Sequence, residues 1–326
     1  MIEQNKMQEI YERLKTPYKI GPIIKMDGRL VDSPSVFKRD GKYYMTFVSI
    51  DKGFTEGYKT TLATSDDLLH WEKVADILTG DNGWDSAQTG GHAQLQDITF
   101  GASNELMQID GKYLFAYLGG NKTGYETDPL SMGIATAKDF LDPTSYTKYP
   151  TPLLSGADHD ARMGETLTIF KGNMFYDEAK TTGYPYVCAY NAKDKTHRES
   201  IYLAVSEDGL HWKRYLDKAI ISVFDCADSV KINGDPQIVK IGEYYVMLYF
   251  VLDMSIGAYN TFAVSKDLKS WTKWEGQPLM QKSDSAWENK YAHKQWVIKE
   301  NGVVYQFYCA VNQADERVIA LAKSEK

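Results

Sequence analysis

Along this chain apolar and polar positions alternate in short runs closed by turn residues, the pattern of half-buried strands. Ser35-Val-Phe-Lys-Arg-Asp-Gly-Lys-Tyr-Tyr-Met-Thr-Phe47 and Gln237-Ile-Val-Lys-Ile-Gly-Glu-Tyr-Tyr-Val-Met-Leu-Tyr249 each read as strand, tight turn and aromatic strand. Leu106 to Phe115 and Val297 to Tyr305 repeat the phrase, and the Asp-Gly or Asn-Gly pairs at 40–41, 110–111 and 301–302 are strong hairpin signals. Thr168-Ile-Phe-Lys171 opens a fifth copy, with a longer insertion before Tyr186-Val-Cys-Ala-Tyr190. The N-terminus differs: Met7, Ile10, Tyr11 and Leu14 follow helical spacing before Pro17, which predicts a short amphipathic helix within residues 1–17.

A second phrase follows the hairpins. Ala63-Thr-Ser-Asp-Asp-Leu-Leu-His-Trp71, Ala204-Val-Ser-Glu-Asp-Gly-Leu-His-Trp212 and Ala263-Val-Ser-Lys-Asp-Leu-Lys-Ser-Trp271 are full copies, with degenerate ones at Ala135–Phe140 and Ala320–Ser324. The marker positions Ser65, Ala137, Ser206, Ser265 and Ser324 are spaced by 72, 69, 59 and 59 residues. At about 5–6 residues per strand, such a unit holds four strands with their connections. The reading is all-β: a single five-bladed β-propeller over residues 18–326 behind the N-terminal helix. The last copy stops after its third strand, so Tyr18 to Ile24 is expected to supply the missing outer strand and close the ring.

Composition narrows the function. The 326 residues carry a net charge of −7, against a nucleic-acid or membrane partner, both of which select basic surfaces. An aromatic share of 13% suits sheet packing, and the repeated tryptophans are assigned to contacts between blades. Cys188, Cys226 and Cys309 lack the paired spacing of a zinc site. The longest apolar run, Tyr244 to Leu252, is too short to span a bilayer. Residues 1–6 hold no apolar signal core, and the expectation is a cytoplasmic protein.

The first strand of each propeller blade lines the central channel, so side chains there converge. Asp32 and His293 each stand nine residues before a turn glycine, Gly41 and Gly302. Aligning Ser35–Lys38 with Thr168–Lys171 puts Glu165 at the same level, and Asp235 falls within one residue of it. A shared structural need would repeat one residue type, whereas these are Asp, Glu, Asp and His. Clustered carboxylates push one another's pKa values apart, and two facing carboxyl groups can cleave a glycosidic bond without a cofactor.

These features, with the Asp32-Ser-Pro-Ser opening, the Glu165 opening of the third unit and the Ser-x-Asp-Leu-x-x-Trp phrases, resemble glycoside hydrolase family 43. The resemblance implies Asp32 as general base and Glu165 as general acid of an inverting hydrolysis. It also implies a pKa-tuning Asp in the second unit. Turn counting gives Ala102 there; Asp97 is the carboxylate chosen, and Asp235 shares or replaces that role. His293 resembles a central histidine near a bound cation, so Ca2+ or another cation is a candidate there, with none required. Arg162, Trp84, His92, Trp287 and Trp296 join His293 as expected sugar contacts, and Thr79 to Gly101 reads as a loop over the active mouth. The implied activity is cleavage of a terminal bond in an oligosaccharide or polysaccharide, of arabinofuranosidase or xylosidase type. A glycoside phosphorylase, which would need a basic cluster where only Arg162 and Lys294 stand, and a non-catalytic carbohydrate-binding propeller are the alternatives.

Overall fold

The computed structural model describes residues 1–158 and 166–326. Arg29–Arg39, Lys42–Asp51, Lys59–Ser65 and Glu72–Leu78 form one antiparallel sheet, and Gln88–Ala93, Tyr113–Gly120, Ser131–Ala137 and Tyr146–Lys148 a second. Tyr291–Glu300, Val303–Val311 and Arg317–Lys323 form another, whose fourth strand is Tyr18–Ile24 from the opposite end of the sequence. That strand pairs from Tyr18↔Lys323 to Ile24↔Ile319, the closure expected from the incomplete last copy.

The remaining strands make one ten-stranded sheet. Its two antiparallel portions, from the third and fourth repeats, join through a single parallel pair, Glu199↔Ile232. Among the described residues, hydrogen-bonded sheets therefore number four, where the periodicity predicts five separate blades. The protein is a β-propeller with one short helix.

The repeated phrase is a turn. Ser65 Oγ accepts from the N–H groups of Asp67 and Leu68, Asp67 Oδ1 accepts from those of Leu69 and His70, and Trp71 Nε1 donates to the Leu68 carbonyl. The same bonds recur around Ser206–Trp212 and Ser265–Trp271. The position after the Asp takes a left-handed backbone, φ 67° at Leu68, 77° at Gly209 and 61° at Leu268.

The helix runs Gln4–Leu14 and buries Met7, Ile10 and Leu14 against Val239, Ile241, Val246 and Trp274. Each fully buried apolar side chain there contributes about 1.5–3 kcal/mol.

Thr79 to Gly101 is not the surface loop its glycines suggest, because it contains the buried Gln88–Ala93 strand. Its Gly-Gly pair is a packing requirement: a Cβ at Gly91 would lie 2.3 Å from the Ala116 carbonyl oxygen, and one at Gly90 2.9 Å from Val48.

Candidate functional site

The second strands give the repeats a common ruler. Tyr43, Tyr113, Tyr186 and Tyr245 pair with the marker positions Ser65, Ala137, Ser206 and Ser265, and Val304 bonds Ser324. Five residues further on, Val48, Leu118, Asn191, Phe250 and Cys309 face Asp32, Gly90, Phe170, Gly234 and His293. Asp32 and His293 thus share a level, as the turn count expects. Asp235 belongs one residue further on, and in the third repeat Phe170 stands at this level. Glu165 and Arg162 lie outside the described residues.

Immediately after that level the strands of Asp32, Gly234 and His293 bulge, with Ser33, Asp235 and Lys294 at φ 46°, 47° and 54°. Left-handed backbone at three non-glycine residues is strained, and such strain clusters at functional sites. The bulges bring opposite charges together. Asp32 Oδ1 accepts from the Ser33 N–H at 2.8 Å, while its Oδ2 accepts from Lys294 Nζ at 3.0 Å and an Arg317 guanidinium nitrogen at 2.5 Å. Asp32 is 2% exposed. Burial alone would raise its pKa, but Lys294 and Arg317 outweigh it and hold the carboxyl well below the usual range. Asp235 accepts from Ser33 Oγ at 2.9 Å and sits 3.5 Å from Lys171 Nζ. Its pKa is also lowered, with Lys171 and Lys294 overcoming burial. His293 is pushed down to about 4, chiefly by burial, and His92 to about 3 by burial and Lys171, so both rings are neutral near pH 7.

Beside this cluster opens a cavity of about 200 Å³. Glu126, Glu199, Asp235, His293, Lys294 and Arg317 give it polar groups, and Tyr125, Phe170, Phe250 and Tyr291 its aromatic walls. Glu199 is 5% exposed and accepts from Asn191 Nδ2 at 2.6 Å, while Asn191 Oδ1 accepts from the Asp235 N–H at 3.3 Å. Burial first, then the nearby Glu126, pushes the Glu199 carboxyl up to about 8. Glu126 Oε1 lies 3.5 Å from Lys294 Nζ. Carboxyl groups kept in unlike protonation states within one cavity can divide acid and base work.

A cation at His293 does not fit these residues. Ligand atoms of Asp32, His293 and Cys309 lie within 4.8 Å of one another. Both Asp32 oxygens, however, already accept hydrogen bonds, and two of the three donors are cations that would repel a metal ion. The His293 Nδ1 lies 3.2 Å from the Cys309 carbonyl, and burial raises the Cys309 thiol well above its usual pKa. Ca2+ asks for six to eight oxygen ligands, which this set does not offer.

A family model described as glycosyl hydrolases family 43 matches residues 22–323. The chain belongs to that family. As a family 43 member it is a glycosidase acting on carbohydrate. Two solved structures, one described as a complex of BT0996 with RGII and one as a glycoside hydrolase, each superpose with a TM-score of 0.92 at 38% identity, covering 100% of this chain and 96% of their own. A thermostable family-43 glycoside hydrolase superposes with a TM-score of 0.66 at 17% identity, over 94% of this chain and 91% of its own, a likeness of fold. None of the curated proteins matches.

In this family 43 glycosidase several residues expected at the site lie elsewhere. Asp97 is exposed and caps the Thr99 N–H, in a segment whose Ile98 carbonyl accepts from the Lys240 N–H. Lys240 is five residues along its strand from Asp235, about 17 Å at strand rise, so Asp97 is at the opposite end of the channel. Turn counting fails there because residues 94–112 form an excursion between the two hairpin strands. Trp84 stacks on Tyr117 at 5.9 Å within a core cluster. Trp287 packs beside Met280 and Tyr308 at the closing sheet, and Trp296, 4% exposed, donates to the Val36 carbonyl at 3.1 Å. None of the three lines the cavity; each satisfies packing first. His92 and Trp296, with ring centroids 5.4 Å apart, both face a narrow crevice with Ser33, Lys171, Asp235 and Lys294, next to the cavity.

Three cavity residues escape a turn count along the sequence: Glu126, Glu199 and Arg317. A signal exists for two of them. Seven residues before the markers stand Tyr58, Leu130, Glu199, Ala258 and Arg317, at the openings of the third strands. The ring of chemistry is thus marked twice, once on first strands and once on third strands, and the turn count sees only the first.

Proposed function

We propose that the protein releases a terminal sugar from an oligosaccharide by hydrolysis with inversion, seating that sugar among Tyr125, Glu199, Tyr291 and Arg317. What supports the reading is one cavity in which Glu199 is held protonated while Asp235 and Asp32 beside it are held ionised. Glycosidic cleavage needs that division: a proton for the departing oxygen and negative charge opposite. At about 200 Å³ the cavity is smaller than the roughly 300–1,000 Å³ of drug-sized ligand sites, which favours a single ring over an internal stretch of polysaccharide.

By the family pattern Asp32 is the base and Glu165 the acid. Asp32 is ionised, as a base must be, but to take a proton from water it must first be released by Lys294 or Arg317. The sugar is of arabinofuranoside or xyloside type in this reading. The solved complex of BT0996 with RGII makes RGII oligosaccharides the first substrates to try. Phosphorolysis is the weaker alternative, since Lys171, Lys294 and Arg317 are each engaged by a carboxylate and not free for phosphate.

The test is incubation of the full-length protein with aryl glycosides and with RGII oligosaccharides, following the released anomer by NMR with and without phosphate. A free monosaccharide of inverted configuration, independent of phosphate, is expected. Sugar phosphate as product, internal cleavage alone, or no release from any glycoside would overturn the proposal.

A further inference from the structure

We infer that Glu199 and Glu126 are the two carboxyl groups that carry out bond cleavage in this cavity, Glu199 as proton donor to the leaving oxygen and Glu126 as acceptor of the proton from the attacking water. The inference rests on the glycosidase reading of the same cavity and replaces its acid and base with residues from other strands.

Placement carries it. Both carboxyl-bearing side chains line the cavity, whereas Asp32 lies behind Lys294 and Arg317 and is absent from its walls. They enter from different elements: Glu199 opens the strand Glu199–Ser206, and Glu126 sits in the connection between Tyr113–Gly120 and Ser131–Ala137. Glu126 has a left-handed backbone, φ 46°, which costs energy in a non-glycine residue and is retained where surrounding structure fixes a position. Its Oε1 lies 3.5 Å from Lys294 Nζ, which sets a positive charge beside it.

Glu199 is in the opposite situation. Among the described residues its hydrogen-bond donor is the neutral Asn191 amide, at 2.6 Å. Among the described residues, the charged groups that face it are Glu126, which disfavours ionisation, and Lys193 and Lys294, which favour it; burial and Glu126 prevail, and its pKa stands at about 8. Lys193 is itself engaged by Asp128 at 2.8 Å, and Lys294 by Asp32. Asp235, His293 and Arg317 complete the polar lining. A carboxyl group that keeps its proton at neutral pH in a water-poor site can act as a general acid.

The Glu199 proton passes to the glycosidic oxygen as the bond between that oxygen and the anomeric carbon breaks, both electrons staying with oxygen. The oxygen of water donates a pair to the anomeric carbon, and its proton goes to the Glu126 carboxylate. The products carry two new hydroxyl groups, Glu199 is left charged and Glu126 protonated, and exchange with solvent restores both.

The experiment compares Glu199→Gln and Glu126→Gln in the full-length protein on two substrates of the same sugar: an oligosaccharide that the wild type cleaves, and a 2,4-dinitrophenyl glycoside whose leaving group needs no proton. Glutamine copies the shape of a protonated Glu199, and melting curves check folding. Glu199→Gln is expected to slow the oligosaccharide about 10²–10⁴-fold, to spare the dinitrophenyl glycoside, and to lose the fall in activity as pH rises through about 8. Glu126→Gln is expected to slow both substrates and to recover with azide, yielding a glycosyl azide. If Glu199→Gln does not fold, Glu199→Asp must still slow the oligosaccharide selectively. Equal slowing of both substrates by the Glu199 variants, or wild-type turnover in Glu126→Gln, overturns the assignment. Wild-type-like variants alongside an inactive Asp32→Asn overturn this inference alone, whereas a wild type that cleaves no glycoside overturns the glycosidase reading with it.

Discussion

Arg317 donates to Asp32 Oδ2 at 2.5 Å although 285 positions separate them in sequence. Both are buried, and Lys294 shares the same oxygen. Removing one member of such a group strands charge in a dry interior, at about 3–5 kcal/mol. Arg317→Met and Asp32→Asn are each expected to lower stability to denaturant by amounts of that order. The double variant should lose less than the two together, because each change removes the other's partner. Strict additivity in the cycle would mean that the contact carries no coupling.

The same clamp sets an acid dependence. The folded-state pKa of Asp32 is depressed, so its contribution is full above the unfolded value of about 3.9 and is lost as pH falls through the folded value. His92 and His293 act in a higher window: unfolded histidine takes its proton near pH 6.5, whereas these fold with values of about 3 and 4. The melting temperature should therefore fall as pH drops from about 6.5 towards 4. His92→Gln, which retains a donor for the Gly172 carbonyl, should flatten that decline, and an unchanged slope would count against a neutral buried His92.

Divalent cations are expected to be dispensable. Excess EDTA should leave turnover unchanged, and added Ca2+ should leave the melting temperature unchanged, because both Asp32 oxygens are engaged by Ser33, Lys294 and Arg317 and the Cys309 thiol keeps its proton. Loss of activity on chelation, restored by Ca2+, would contradict the donor geometry.

Sugar contact should follow the cavity walls and not the tryptophans. Tyr291→Ala is expected to raise KM several-fold, while Trp287→Phe should alter stability and leave KM near the wild-type value. The reverse ranking in steady-state kinetics would move the sugar to the closing sheet.

The N-terminal helix should be separable from the chemistry. Ile10→Ala removes a fully buried side chain from the cluster with Val239 and Trp274 and should cost about 2–5 kcal/mol, with kcat unchanged at temperatures where the variant is folded.

The hairpins, the repeat and the closing strand are legible in sequence because they depend on local signals: Asp-Gly turns, alternation, and a serine that binds its own following backbone. Asp32 and His293 fall at one level because their strands share the same count to the turn. Asp235 stands one residue past the level of Gly234, and a count from the turn glycine shifts in that strand because Gly242 is the first residue of its turn, whereas Gly41 and Gly302 are the second of theirs. In the third repeat two short strands, Thr166–Ile169 and Asn173–Tyr176, replace one long one, and Glu165 lies outside the described residues. The second repeat is hidden by Gly90 and Gly91, which read as loop and serve as close packing. Glu199 and Arg317 become visible only when residues are counted from the marker serine.

The pairing of Tyr18–Ile24 with Arg317–Lys323 also fixes an order of assembly. On the ribosome Asp32 is made long before the two cations that share its Oδ2, Lys294 at 262 positions further on and Arg317 at 285. Until Lys294 is added the nascent polypeptide carries this acidic group without a cation beside it, and until Arg317–Lys323 is added the strand Tyr18–Ile24 has no partner. The cavity, which is walled by Glu126, Glu199 and Arg317 together, can form only after Arg317 has been added. Folding of such long-range contacts is slow, and a product that ends before Arg317 lacks one wall of the cavity.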